Sequence, residues 1–109
     1  MPIKTSDVWY ARFPFEENPK IYKERPVIVM GIRNGSALAL ATMVTTHAPR
    51  DYFDVVLHDN IAAGLHKPSV ARVSRTLVIP EDDFLHYIGM LSNRDFKSVS
   101  SKLMEFVGD

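Results

Sequence analysis

Short apolar runs, broken by prolines, glycines and polar clusters, fill this chain as far as Leu91, and a helical spacing takes over after Ser92. Asp7 to Phe13 carries Val8, Trp9, Tyr10 and Phe13, a β-branched and aromatic mix suited to a half-buried pleated strand. Pro14 to Lys20 holds two prolines and a polar run, which predicts a long loop ending near Arg25. Pro26 then opens Val27 to Met30, which reads as a buried strand, because a strand's first residue need not donate to the ladder. Asn34-Gly35 suits the two positive-φ positions of a type I′ turn, so a two-residue hairpin is predicted, returning along Ala37 to Thr46. Tyr52 to Leu57 reads as a fourth strand, and Gly64 to Pro68 as a turn before a strand at Ser69 to Val73. Thr76 to Ile79, closed by Pro80, and Ile88 to Leu91 are the last apolar runs. Between them Glu81, Asp82 and Asp83 place negative charge where a single helical turn would have its positive end.

Beyond Leu91 the period changes. Phe96, Val99, Leu103 and Phe106 fall on one helical face, Ser92 and Asp95 form a capping-box-like pair at its start, and Gly108 is a natural stop. The pattern therefore predicts a mainly β (α+β) fold: a small barrel or strongly bent sheet of roughly five to seven short strands, covered at one edge by a C-terminal α-helix.

Composition narrows the chemistry. With 109 residues and 46% hydrophobic side chains, one domain spanning 1–109 can bury a core unaided, and no internal repeat or linker divides it. The absence of cysteine excludes disulfides, thiol catalysis and thiolate metal sites. Thirteen basic and thirteen acidic residues cancel, so any polyanion must be met by a local patch. No run approaches the roughly 18 apolar residues of a membrane span. The first residues lack the apolar core of a signal peptide, and a cytoplasmic protein without membrane attachment is expected. His47, His58, His66 and His86 lack close ligand spacing, and no glycine-rich phosphate cradle or serine elbow occurs. No metal and no cofactor are expected.

Several segments, in order, resemble the MazF/PemK toxin family: Asp7-Val8-Trp9-Tyr10-Ala11-Arg12-Phe13, Lys23-Glu24-Arg25-Pro26-Val27-Ile28-Val29 and Ala41-Thr42-Met43-Val44-Thr45-Thr46. Lys67 to Arg72 and Ile88 to Ser92 match the family's later strands and the start of its helix in kind and order. Ser6-Asp7 stands where the family usually has Gly-Asp. The resemblance spans nearly the whole chain. It implies an SH3-like barrel, a homodimer, metal-independent cleavage of single-stranded RNA, and a cognate antitoxin that blocks the site. It also implies Arg25 as the catalytic arginine and Thr45 as its threonine partner. A second reading is a catalytically decayed small-barrel module that binds RNA or protein.

Metal-free RNA cleavage requires activating the 2′-hydroxyl, steadying a crowded phosphorane and protonating the departing 5′-oxygen. Arginine suits the middle task because its planar fork matches a phosphate and stays charged. The two-residue hairpin would put Arg25 opposite Val44, beside Thr45 and Thr46. Strict alternation then favours Thr46 on the arginine's face, whereas a bulge would restore Thr45. His47 lies two residues beyond Thr45 and can carry a proton near neutral pH. Lys20, Lys23, Arg50 and Lys67 fall in predicted loops where they can track a phosphate backbone, and Phe15 can stack on a base. Each also has an ordinary reading, as a solvated cation, a strand-forming threonine or a loop anchor.

Overall fold

The computed structural model describes residues 3–33 and 37–108. Six strands form one antiparallel sheet: β1 (Asp7–Pro14), β2 (Tyr22–Ile32), β3 (Leu38–Thr45), β4 (Asp54–Val56), β5 (Val70–Pro80) and β6 (Phe84–Met90). Their spatial order is β4-β5-β3-β2-β1-β6. A 3-10 turn, Glu81–Asp83, joins β5 to β6, and α1 (Asn93–Gly108) follows the last strand. Among the described residues no ladder joins β4 to β6, so the sheet is barrel-like but open.

The central strands are apolar on both faces because both faces are covered. One face gathers Trp9, Ala11, Phe13, Val27, Val29, Ala41 and Met43 into one core. The other gathers Val8, Ile28, Val44, Ala71 and Val73 with Leu57, Leu65 and Val99 of α1. Val27-Ile28-Val29 therefore reads as an unbroken apolar run, its alternate members feeding different cores. Of the predicted helical face, Val99 is fully buried, Phe96 and Leu103 are partly buried, and Phe106 stays 39% exposed with its ring against Phe53.

Four expectations change. β2 begins at Tyr22, so Lys23, Glu24 and Arg25 belong to a strand and not to the loop. Pro26 lies within that strand, opposite Tyr10, at the point where pairing with β3 has ended at Val27↔Met43. Having no N–H, it is tolerated where β2 has only β1 beside it. The runs predicted as Ser69 to Val73 and Thr76 to Ile79 are one strand, kept continuous by a bulge. β6 starts at Phe84, ahead of the predicted Ile88, because it pairs along β1 from Ala11 to Asp7.

The Asn34-Gly35 turn lies outside the described residues. The ladder beside it pairs Ile32 with Ala39 and Gly31 with Leu40, then shifts at Met30 so that Val29 meets Ala41. These pairs are displaced by two positions from the two-residue hairpin register next to the turn, and by one position beyond the irregularity in β2.

Candidate functional site

Beyond the Val27↔Met43 pair, β2 and β3 separate, and a groove of about 530 Å³ opens between them. A row of facing residues, Val27, Met43, Arg72 and Asp54, crosses four strands, and of these Met43 and Arg72 line the groove. Arg25 and Thr45 each lie two residues further along the same face. Continuing the Val27↔Met43 register puts Arg25 across from Thr45. The apolar core thus ends in a polar row, which is why chemistry-bearing side chains collect at this end of the sheet.

Thr45 is only 9% exposed, and its Oγ1 accepts the His47 backbone N–H at 3.2 Å. That contact uses a lone pair and leaves the hydroxyl proton to donate. Thr46 and His47 lie beyond the end of β3, exposed, at the groove wall. Arg25 is half-buried and, among the described residues, forms no ion pair. Burial, then the like charges of Arg75 and Arg72, lower its pKa, with Glu17 acting the other way. It remains a cation at any working pH.

Its neighbours are neutralised differently. Arg72 donates from Nε and Nη2 to the two Asp54 oxygens at 3.2 and 3.1 Å, and the two side chains are 7% and 0% exposed. Burial pushes the Asp54 carboxyl up, but hydrogen bonds from Arg72 and the Arg50 backbone, with both positive charges, outweigh it and hold the pKa below the ordinary value. Arg50 reaches Glu16 at 3.0 Å, joining the β1–β2 loop to the β3–β4 connection. Arg75 donates to the Pro14 carbonyl at 2.6 Å and lies over the Phe13 ring.

Of the residues singled out from sequence, Phe15, Lys23, Arg25, Thr45, Thr46, His47 and Arg50 line this groove. Lys20 and Lys67 do not: Lys20 follows Asn18 in the β1–β2 loop, and Lys67 borders a separate hollow with His58 and His66. Tyr10, Glu16, Glu17, Glu24, Arg72 and Arg75 also line the groove and were not anticipated. For Arg72, the alternation within Ser69 to Val73 was a usable signal; for Arg75 there was none, since a bulge sets its direction. Among the described residues no group of three or more His, Asp or Glu side chains is arranged to hold a metal, and no helix is long and apolar enough to cross a membrane.

Solved structures with this fold include the MazF of Deinococcus radiodurans, with a TM-score of 0.79 at 17% identity over 100% of this chain and 99% of that one. An endoribonuclease in complex with its cognate antitoxin, from a mycobacterial species, gives 0.76 at 12% identity, covering 99% and 96%. The Mycobacterium tuberculosis toxin MazF-mt6 gives 0.70 at 20% identity, covering 91% and 93%. No curated protein sequence matches the chain. The profile of the PemK-like, MazF-like toxins matches residues 4–107, nearly the full length. With that match and the shared fold, the chain belongs to the PemK-like, MazF-like toxins of type II toxin-antitoxin systems.

Proposed function

We propose that this protein is the toxin of a toxin-antitoxin pair, a sequence-specific endoribonuclease that cleaves single-stranded RNA without a metal. The observation that carries this is Arg25, a half-buried guanidinium with no carboxylate partner among the described residues, facing Thr45 in an open groove. Such a group is complementary to an anion that arrives from outside. The family match and the endoribonuclease of similar fold support reading that anion as RNA phosphate.

In the proposed reaction the 2′-oxygen bonds to phosphorus as its proton leaves, and the bond from phosphorus to the 5′-oxygen breaks as that oxygen gains a proton. The products are a 2′,3′-cyclic phosphate and a 5′-hydroxyl. Arg25 stabilises the phosphorane or the departing oxygen, and Thr45 orients the attacking group. His47, whose backbone N–H holds Thr45 Oγ1, is available to bind substrate with Phe15, Lys23, Thr46 and Arg50. The active unit is proposed to be a homodimer restrained by a cognate antitoxin, as the mycobacterial endoribonuclease is found with its own.

The test is single-turnover cleavage of a long RNA in chelator, with fragment ends examined for cyclic phosphate. Arg25→Ala should slow cleavage roughly a hundredfold or more. Arg25→Lys should do almost as badly, because the charge survives and the paired fork does not. Thr45→Ala should be milder, and Thr46→Ala, which removes only an exposed contact at the groove wall, milder still. A wild-type requirement for a divalent metal, or a folded Arg25→Ala protein cutting at the wild-type rate, would overturn the assignment in favour of a binding module.

A further inference from the structure

β5 carries three residues, Val73, Ser74 and Arg75, with no partner on β3, since Met43 pairs with Arg72 while the adjacent Thr42 pairs with Thr76. In a regular strand Arg72 and Arg75 would project to opposite faces. The bulge instead brings both to the groove that Arg25 lines. It is a fixed feature: Thr76 Oγ1 donates to the Val73 carbonyl at 2.7 Å, and the Thr42 and Thr76 hydroxyls meet at 2.6 Å. The Arg75 guanidinium is itself held, with Nη2 on the Pro14 carbonyl and its carbon 5.4 Å from the Phe13 ring centre.

That anchorage uses one of a guanidinium's five N–H donors. The other groove arginines differ in how they are neutralised: Arg72 by Asp54 and Arg50 by Glu16. Among the described residues Arg75, like Arg25, has no ion pair. The two are close enough for Arg75 to act on the ionisation of Arg25. Two like charges held together in a half-buried groove repel each other, and the partner that relieves the repulsion is an anion with several acceptor oxygens.

We propose that Arg75 is a second phosphate-binding residue of this groove, acting with Arg25 as a two-guanidinium clamp on the RNA backbone. The inference rests on the RNA reading above. A purely structural Arg75, anchoring the β1–β2 loop through Pro14, is the competing account, and Arg75→Gln separates the two. Glutamine can still donate to the Pro14 carbonyl but carries no charge.

The experiment measures binding of a mixed-sequence, fully 2′-O-methylated RNA, which has no hydroxyl to attack, by fluorescence anisotropy over a range of salt concentrations. Single-turnover cleavage of the unmodified RNA is followed alongside. On single strands each phosphate contact contributes a slope of about 0.7 in log affinity against log salt. Arg75→Gln should reduce the slope by about that amount and slow cleavage roughly tenfold or more. Arg75→Lys should keep the slope and recover only part of the rate. An Arg75→Gln protein with the wild-type slope overturns the proposal whatever its rate, because a structural role leaves the charge count at the interface unchanged. If Arg75→Gln does not fold, Arg75→Lys decides: an unchanged slope with a reduced rate supports the clamp, and a wild-type rate overturns it. Wild-type protein that neither cleaves nor binds RNA in a salt-dependent way would instead remove the RNA reading, and this inference with it.

Discussion

The junction of α1 with the sheet and the groove between β2 and β3 handle charge in opposite ways. At the junction the fully buried Asp95 carboxylate accepts the backbone N–H groups of His58 and Asp59 at 2.7 to 3.0 Å. Its own N–H reaches Ser92 Oγ at 3.3 Å, and Ser92 donates in turn to Asp59, which Arg94 holds with two further bonds. In the groove, Arg25 and Arg75 have no such carboxylate among the described residues. No buried side-chain nitrogen or oxygen described here lacks a hydrogen-bond partner, so the protein is not careless with polar groups. Where charge is fully answered from within, it fixes the fold; where it is left unanswered in an open groove, it is the natural place to look for a ligand.

Arg72 tests that distinction most severely, because it lines the groove yet is paired. Its ion pair with Asp54 is almost wholly buried, and removing one partner of such a pair strands the other charge. Asp54→Ala should therefore cost about 3 to 5 kcal/mol in urea unfolding. Arg25→Ala should cost far less in the same measurement despite its large expected effect on cleavage. Equal losses of stability would show that both arginines are structural and would collapse the comparison.

A smaller effect is expected at the junction. Asp95→Ala removes the acceptor for two backbone donors and should cost about 1 to 3 kcal/mol, since water can reach part of that loop. Cleavage per folded molecule should stay at the wild-type rate. A specific loss of rate without a loss of stability would mean that the junction reaches into the reaction.

Much of this contrast was legible in the sequence, and its limits have physical causes. The helix, its Ser92 cap and Val99 follow from a period that tertiary contacts do not disturb. The capping box is only half made, because the Asp95 carboxylate turns from the Ser92 backbone to the His58-Asp59 backbone, a contact across 36 residues or more that local spacing cannot reveal. On β2 the proline at position 26 suggested a strand start, whereas the strand continues because β1 supplies a partner along Tyr22 to Arg25. The resemblance selected Thr45, and the plain hairpin register favoured Thr46; the irregularity at Met30 puts Thr45 on the face of Arg25. Arg75 stayed invisible because a bulge of three residues overrides the alternation from which its direction would be read.

The finest expected difference lies between two carboxylates, the partly exposed Asp59 and the exposed Glu16, one in each region. Asp59 at the junction is held by Arg94 and Ser92, and these hydrogen bonds, against a small opposing effect of burial, lower its pKa from 3.8 to about 2. Glu16 at the groove mouth is held chiefly by Arg50, whose hydrogen bond also lowers its pKa. A carboxylate whose pKa is depressed by folding binds its proton less readily in the native state. Its stabilising contribution is therefore complete above the unfolded pKa and is lost as pH falls through the folded one. For Asp59 that window runs from about pH 4 down to about pH 2. Wild-type and Asp59→Asn proteins should differ by a constant stability in urea above the window, and the gap should close across it. Glu16→Gln should show the same sign with a smaller gap, because its partner is a single arginine side chain with no hydroxyl added. A gap for Glu16 that equals or exceeds that for Asp59 would mean that the groove mouth is braced as firmly as the junction, and the division between the two regions would then rest on Arg25 and Arg75 alone.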